Sequence, residues 1–301
     1  MIALAIDLGS NSIRALKIDC NRKETLGTFH KTVRTADGLN RTKKISKEAL
    51  ERIIDALQEA DRKLNFKSAK IRAVTTEALR QATNSKEILD DIKRKTGVEF
   101  KIIDGDNEAR YALVATKYRL EKLNITPKNF VLVDIGGAST EIIFSYSSKT
   151  IFKSFSIGIV TLTQKFNSLE ETQKNISKEM EDIKRFVDEV YQSSKKVEKF
   201  IAIAGTPTTI ASLKLGFTYK TYNPNRIHGT VLSIEDLDIQ LKKLLTMSKE
   251  EKIEAVGVGR EDLIASGVLI FRELYKILGF NESIVIDDGI REGVAYSLCN
   301  K

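Results

Sequence analysis

Residues Ala5-Ile6-Asp7-Leu8-Gly9-Ser10-Asn11-Ser12-Ile13-Arg14 (AIDLGSNSIR) read as a strand, a tight turn and a second strand. Positions 2–6 are apolar, an acid, a glycine and small polar residues follow, and an extended pattern resumes from Ile13 to Ile18. Gly9 allows the backbone to approach a bound group closely. Ser10, Asn11 and Ser12 supply hydroxyl, amide and main-chain donors that suit a phosphate oxygen. Asp7 sits at the end of a buried strand, an unfavourable place for a carboxylate unless it holds a metal or orients water. On its own the stretch fits a plain hairpin equally well.

A second copy decides between these readings. Val131-Leu132-Val133-Asp134-Ile135-Gly136-Gly137-Ala138-Ser139-Thr140-Glu141 precedes the apolar Ile142-Ile143-Phe144. Aligned without gaps, Asp7 falls on Asp134, Gly9 on Gly136, Ser12 on Ser139 and Arg14 on Glu141. Two strand–Asp-x-Gly–turn–strand units predict a duplicated domain, with both loops aimed into one cleft. Arg14 would present a cation to a phosphate, and Glu141 a carboxylate to a metal or water.

A chain of 301 residues gives a prior of about two domains, and a hydrophobic share of 42% is ample for their cores. The net charge of +8 favours an anionic partner. Lys and Arg are spread rather than clustered, so a phosphate compound is a better first inference than nucleic acid. Cys20 and Cys299, the only cysteines, match no CxxC spacing and fit a reducing, cytoplasmic setting. The N-terminus reads directly as a strand, without a signal peptide, and no apolar run approaches a membrane span.

Strands are expected at 2–7, 13–19, 25–33, 70–75 and 98–103. A helix from about 47 to 64 is capped by Ser46. A short helix starts near Thr76, another is capped by Ser85 and stopped by Gly97, and a third is capped by Asp106 or Asn107 and runs through about Leu123. The turn at 124–129 is the expected boundary, giving domains 1–125 (joined by the closing helix 289–301) and 126–288. The second domain predicts strands at 130–135, 140–146, 150–156, 200–204 and 283–287. Its helices include one capped by Ser177, one after Thr209, one from Ser233, one from a Ser248–Glu251 capping box and one over 261–278, with 216–229 irregular. The pattern is α/β with mixed sheets.

With these stretches in view, the chain resembles the actin, hexokinase and chaperone-ATPase superfamily, and more narrowly the exopolyphosphatase / guanosine pentaphosphate phosphatase family. The resemblance rests on IDLGSNSIR (6–14), TTEALRQATN (75–84), DGDNEARYAL (104–113), VDIGGASTE (133–141), SFSIGIVTLT (154–163), AGTPTTIAS (204–212), GREDLIASG (259–267) and DDGIREG (287–293). It implies two ribonuclease-H-like, actin-like ATPase domains facing a central cleft, in the family's short two-domain form, and a homodimer. It implies release of terminal orthophosphate from polyphosphate, with guanosine pentaphosphate conversion to tetraphosphate as a second activity. The short form implies a preference for shorter polyphosphate.

By the same resemblance, Glu108 activates the attacking water, and Asp134 and Glu141 are further catalytic acids that bind Mg²⁺, with Asp7 a weaker metal candidate. Gly9, Ser10, Asn11, Ser12, Arg14, Arg80, Gly136, Gly137, Ala138, Ser139, Thr140, Gly205 and Thr206 match the phosphate-binding positions. The chain departs from the pattern at Ala138, where a third glycine is usual, and at Thr161, where many relatives carry arginine. Arg260 reads equally as structural or substrate-facing. Read from the residues alone, Glu108 also fits an acid complementing a helix dipole. There is no GxxxxGK[ST] or GxSxG, His30 and His228 lie far apart, and Gly257-Val258-Gly259 lacks the context of a dinucleotide fingerprint. The rival readings are a small-molecule kinase of the same superfamily and a non-catalytic alarmone or nucleotide sensor.

Overall fold

The computed structural model describes residues 1–22, 24–166 and 168–299. By its internal contacts the chain forms two compact units, Met1–Ala115 with the segment beginning at Asp288, and Thr116–Asp287.

The first unit contains β1 (Ile2–Leu8), β2 (Ser12–Asp19), β3 (Glu24–Thr32), α1 (Leu39–Thr42), α2 (Lys47–Leu64), β4 (Lys70–Thr75), α3 (Glu77–Gln81), α4 (Ser85–Thr96), β5 (Phe100–Ile102) and the start of α5 (Gly105–Lys122). Its sheet has the order β3-β2-β1-β4-β5. The β1–β2 pair is antiparallel and β1, β4 and β5 are parallel. α2 forms where the sequence repeats apolar residues at helical spacing: Ala49, Ile53, Ile54, Leu57, Ala60 and Leu64 are all buried. The Ala49 N–H donates to Ser46 Oγ at 3.1 Å, capping the first turn.

The second unit continues with β6 (Phe130–Ile135), β7 (Thr140–Ser145), β8 (Thr150–Phe155), α6 (Ile159–Lys165), α7 (Leu169–Glu179), α8 (Glu181–Ser193), β9 (Lys199–Ile203), α9 (Gly205–Lys214), α10 (Pro224–Ile227), β10 (Thr230–Ser233), α11 (Ile234–Thr246), α12 (Lys249–Val256), α13 (Ile264–Leu278) and β11 (Glu282–Val285). Its sheet order is β10-β11-β9-β6-β7-β8. Again the first hairpin is antiparallel, while β6, β9 and β11 are parallel. Each unit therefore places its third, second, first and fourth strands in that order, and the sequence repeat is a repeat of topology.

The closing helix α14 (Ile290–Cys299) belongs to the first unit. Val294, Ala295 and Leu298 pack with Ala3, Ala5, Leu16, Ile18, Val74 and Ile103. Gly293 makes this approach possible, since a Cβ there would lie 2.0 Å from the Tyr111 carbonyl oxygen. At its far end, Cys299 is joined to Cys20 by a disulfide across 279 residues of sequence. Reading the cysteines as a sign of a reducing setting does not foresee this pairing, because the two residues meet only through the packing of α14 on β2.

Several local expectations shift. The cap position of α4 is Asn84, not Ser85, and the Asn84 side chain instead ties down Ile45, accepting from its N–H at 2.9 Å and donating to its carbonyl at 3.0 Å. Asp104, not Asp106 or Asn107, caps α5 by accepting from the Asn107 N–H at 2.9 Å. Ser177 lies inside α7, and Met180 separates α7 from α8. β10 was not expected; it forms by antiparallel pairing with β11. Ser248 forms the expected capping box with Glu251, and Ser233, expected only to start α11, forms one with Asp236 as well.

Candidate functional site

In parallel strands the carboxyl ends share one edge, and loops leaving that edge form sites. Leu8 pairs with Thr75 and Thr75 with Ile102, so the Gly9–Ser12 loop, α3 and the start of α5 all leave one edge of the first unit. The loop closes on itself: the Gly9 N–H donates to the Ser12 carbonyl at 2.9 Å. The Asn11 carbonyl accepts from the N–H groups of Val33 and Arg34, both at 2.9 Å. Ser10 and Ser12 are buried. Register sets Asp7 opposite Arg14, and the Arg14 Nε donates to Ser12 Oγ at 3.4 Å. Burial pushes the Asp7 carboxyl pKa up, against the pull of Arg14 and of Arg291 from α14, while Glu292 adds to the rise. Asp7 Oδ1 is buried without a hydrogen-bond partner among the described residues.

Glu108, in the first turn of α5, is 3% exposed. Arg80 reaches it from α3, donating from Nη1 to Glu108 Oε1 at 2.7 Å and to the Ile103 carbonyl at 2.6 Å. Nη2 of the same guanidinium donates to Glu77 Oε2. Burial opposes the Arg80 charge, but hydrogen bonding and attraction to Glu108, then Glu77, outweigh it and raise its pKa. Glu77 was not singled out in the sequence. Its signal was available: Glu77 and Arg80 are three apart on a helix, a spacing that makes them neighbours.

The second unit repeats the edge. Asp134 pairs with Ile203, and Ala202 with Val285, so the Gly136–Ser139 loop, α9 and the segment after β11 leave one side of the sheet. The Gly136 N–H donates to the Ser139 carbonyl at 2.9 Å, the counterpart of the bond in the first loop. Register sets Asp134 opposite Glu141, and Ser154 Oγ donates to Glu141 Oε1 at 2.7 Å. The N-terminus of α6 holds the loop, with the Ile159 N–H donating to the Gly136 carbonyl at 3.0 Å and the Val160 N–H to the Gly137 carbonyl at 2.7 Å. Gly158 permits this contact: a Cβ there would lie 2.6 Å from backbone atoms of Gly137 and Ala138. Thr140 Oγ1 donates to the Ile157 carbonyl at 2.7 Å. Thr161 Oγ1 accepts from the Gly158 N–H at 2.9 Å and so caps α6.

α9 begins at Gly205 itself, preceded by Ala204 at φ 71°, a left-handed backbone that non-glycine residues seldom adopt. Thr206 is fully buried, where a Cβ on Gly267 of α13 would collide with its hydroxyl. Arg260 Nη2 donates to the Gly205 carbonyl at 2.6 Å, which gives Arg260 a structural contact at the start of α9. After β11, Asp287 Oδ1 accepts from the Tyr222 hydroxyl at 2.7 Å, and the Asp287 N–H donates to His228 Nδ1 at 3.2 Å. Burial pushes the Tyr222 phenol pKa up.

Two α/β units, each with an Asp-x-Gly loop at the carboxyl edge of a mixed sheet, define the class: duplicated, actin-like domains. Within that class the chain belongs to the Ppx/GppA phosphatase family, whose model matches residues 18–301. It is 27% identical to Exopolyphosphatase 2 of Mycobacterium tuberculosis, over 98% of this chain and 97% of that protein. It is 27% identical to the bifunctional 3-dehydroquinate synthase/phosphatase of Fusobacterium nucleatum and 26% identical to a guanosine-5'-triphosphate,3'-diphosphate pyrophosphatase of Aeromonas hydrophila. It spans 46% and 58% of the lengths of those two proteins. Among solved structures, the Aquifex aeolicus Ppx/GppA family member matches with a TM-score of 0.74 and 28% identity, over 99% of this chain and 97% of that one. An exopolyphosphatase from Cytophaga hutchinsonii shares the fold, with a TM-score of 0.86 at 21% identity, over 100% of this chain and 98% of that one.

Proposed function

We propose that this protein is a phosphoanhydride hydrolase that releases terminal orthophosphate from inorganic polyphosphate, with guanosine pentaphosphate, converted to the tetraphosphate, as its second substrate. The observation that carries the reading is Glu108. It is a carboxylate 3% exposed, at the carboxyl edge of a parallel sheet and ion-paired to Arg80, in a chain of a phosphatase family. The names of the relatives, an exopolyphosphatase and a guanosine pentaphosphate pyrophosphatase, supply the substrate class.

Phosphoryl transfer needs little covalent help from a protein; positioning and electrostatics carry it. Glu108 accepts the proton of the attacking water as its oxygen approaches the terminal phosphorus. The two loops bind the phosphates. Gly9 and Gly136 use their N–H groups to close the turns and the Thr140 hydroxyl is spent on the Ile157 carbonyl, so Ser10, Asn11, Ser12, Gly137, Ala138 and Ser139 supply the donors. Arg14 adds a fixed positive charge, and the start of α9 at Gly205 and Thr206 offers main-chain N–H groups. Arg80, the other candidate clamp, is already engaged with two carboxylates.

A divalent cation fits the donor set. Asp7 Oδ1 is buried and lacks a hydrogen-bond partner among the described residues, and Asp134 stands across from Glu141. Among the described residues no three His, Cys, Asp or Glu side chains converge. Mg²⁺ keeps several waters and binds through one or two carboxylates and substrate phosphates, so a pair of acids suffices to hold it. When bound, the cation neutralises phosphate charge.

The domain boundaries at 125 and 288, a homodimer and a cytoplasmic location complete the proposal. The last is tested by thiol titration of protein purified without oxidation, since disulfides are rare in cytosolic proteins. No helix among the described residues is long and apolar enough to cross a membrane.

The deciding experiment is phosphate release from polyphosphate and guanosine pentaphosphate, side by side, by wild type and Glu108→Gln. The variant should bind its substrate and lose turnover by about 10²–10⁴-fold, the usual contribution of a general base. Near-wild-type turnover would end the assignment. A need for an acceptor molecule would favour the kinase reading.

A further inference from the structure

Glu77 is a buried carboxylate, 7% exposed, that the reaction as described does not use. It lies in the first turn of α3, directly after β4. Gln81 Nε2 donates to Glu77 Oε1 at 2.5 Å and fixes one oxygen. The other oxygen, Oε2, accepts from Arg80 Nη2. The far side of the same guanidinium is spent on Glu108, at 2.7 Å, and on the Ile103 carbonyl, at 2.6 Å. The result is a relay, Gln81 to Glu77 to Arg80 to Glu108, in which one cation stands between two buried acids.

We infer that Glu77 is a positioning residue: it holds the Arg80 guanidinium against Glu108, so that Arg80 serves the base as a counter-ion and orienting group rather than serving an incoming phosphate. The inference rests on reading Glu108 as the base. The physical argument is one of geometry and charge. A planar guanidinium has a rigid fork of donors, and an arginine held on both sides cannot turn. A buried carboxylate next to a cation stays ionised, as a base must, whereas a second carboxylate nearby opposes ionisation. Arg80 is ion-paired to both Glu108 and Glu77, and Asp104, just before α5, feels the same guanidinium. The Asp104 pKa is lowered mainly by its bonds to Asn107 and also by the field of Arg80.

The sign of each substitution follows. Glu77→Gln keeps the shape but removes the charge that holds the guanidinium, so Arg80 is freed from Glu108 and Glu108 should ionise at higher pH. Arg80→Gln removes the cation and leaves two acids together, so Glu108 should ionise at higher pH. Each shift is about one pH unit or more, the scale of a close charge.

The test is carboxyl-carbon NMR titration of the full chain with labelled glutamate, Glu108 being assigned by the signal missing in Glu108→Gln. The acid limb of kcat/KM for tripolyphosphate hydrolysis is followed in parallel. The expected result is an upward displacement of the Glu108 midpoint in both variants, larger in Arg80→Gln than in Glu77→Gln, with the acid limb following. A midpoint that stays put in either variant, or that falls in Glu77→Gln as it would if Glu77 were only a repelling neighbour, overturns the inference. So does an Arg80→Gln variant that only raises KM, because that is the behaviour of a phosphate ligand. If Glu77→Gln does not fold, Glu77→Asp and Arg80→Lys replace the pair, with the same signs and smaller shifts. Full turnover and an unmoved acid limb in Glu108→Gln would defeat the base assignment instead, while the NMR midpoints still decide the pairing.

Discussion

The Gly9–Ser12 and Gly136–Ser139 loops close on the same bond, a glycine N–H to a serine carbonyl at 2.9 Å, yet different parts of the chain brace them. The first loop is held from the side by Val33, Arg34 and Ala36, whose N–H groups donate to the carbonyls of Asn11 and Ser10. The second is held from behind by the N-terminus of α6, which reaches it because residue 158 has no side chain. Their paired residues differ too: Asp7 faces Arg14, whereas Asp134 faces Glu141. The closing bond preserves the turn after duplication, while charge and bracing have diverged. The first copy pairs an acid with a cation and the second pairs two acids.

The sharpest difference in bracing is covalent, since the Cys20–Cys299 bond ties only the first unit. Cys20→Ser with Cys299→Ser should destabilise that unit by about 2–5 kcal/mol, as loss of a native disulfide usually does. Calorimetry should then show an earlier, separate transition. An unchanged single transition would mean that α14 is held by packing alone.

Gly158→Ala attacks the second loop. The added carbon would meet backbone atoms at 2.6 Å, so the loop must move. A displacement of about 1 Å at a phosphate site should lower turnover by about 10²-fold. Retained activity would show that the loop position is not set by α6.

The charge asymmetry is tested by Arg14→Gln and Glu141→Gln. Each removes one charged contact, worth about 1.5–3 kcal/mol or roughly tenfold or more. Arg14→Gln should act on KM and Glu141→Gln on kcat. If both act on KM alike, the two halves are not specialised.

The smallest effect concerns Asp7. Burial raises its pKa in the folded protein, so folding favours the protonated acid. The stability this group contributes is therefore full below its unfolded pKa of about 4 and is lost as pH rises through the raised value. In protein treated with a chelator, Asp7→Asn should raise Tm at pH 8 and leave it unchanged at pH 3. No difference at either pH would mean that Arg14 and Arg291 fully compensate the burial.

Features settled by near neighbours were legible in the sequence. The bounds of α2 follow from a cap at Ser46 and an apolar stripe, the helix start at Ser233 follows from its type, and the capping box at Ser248 follows from a spacing of three. The repeat of Asp-x-Gly predicted a duplicated domain, and the strand order of the two sheets repeats. Caps failed where a side chain had a distant alternative: Asn84, next to the expected Ser85, is engaged with Ile45.

The residue types and the two loops were therefore determined by the sequence itself, since turn chemistry and period are local. Tertiary structure alone decided what surrounds them. It put Glu77 and Arg80 of α3 against Glu108 of α5, Gly158 under the second loop, Gly293 on Tyr111 and Cys299 beside Cys20. These contacts join segments far apart in the chain, and their geometry exists only once strands pair and helices pack. The first loop could be read from ten residues; whether Asp7 within it is buried, charged or paired depends on Arg291 and Glu292 arriving from the other end of the chain.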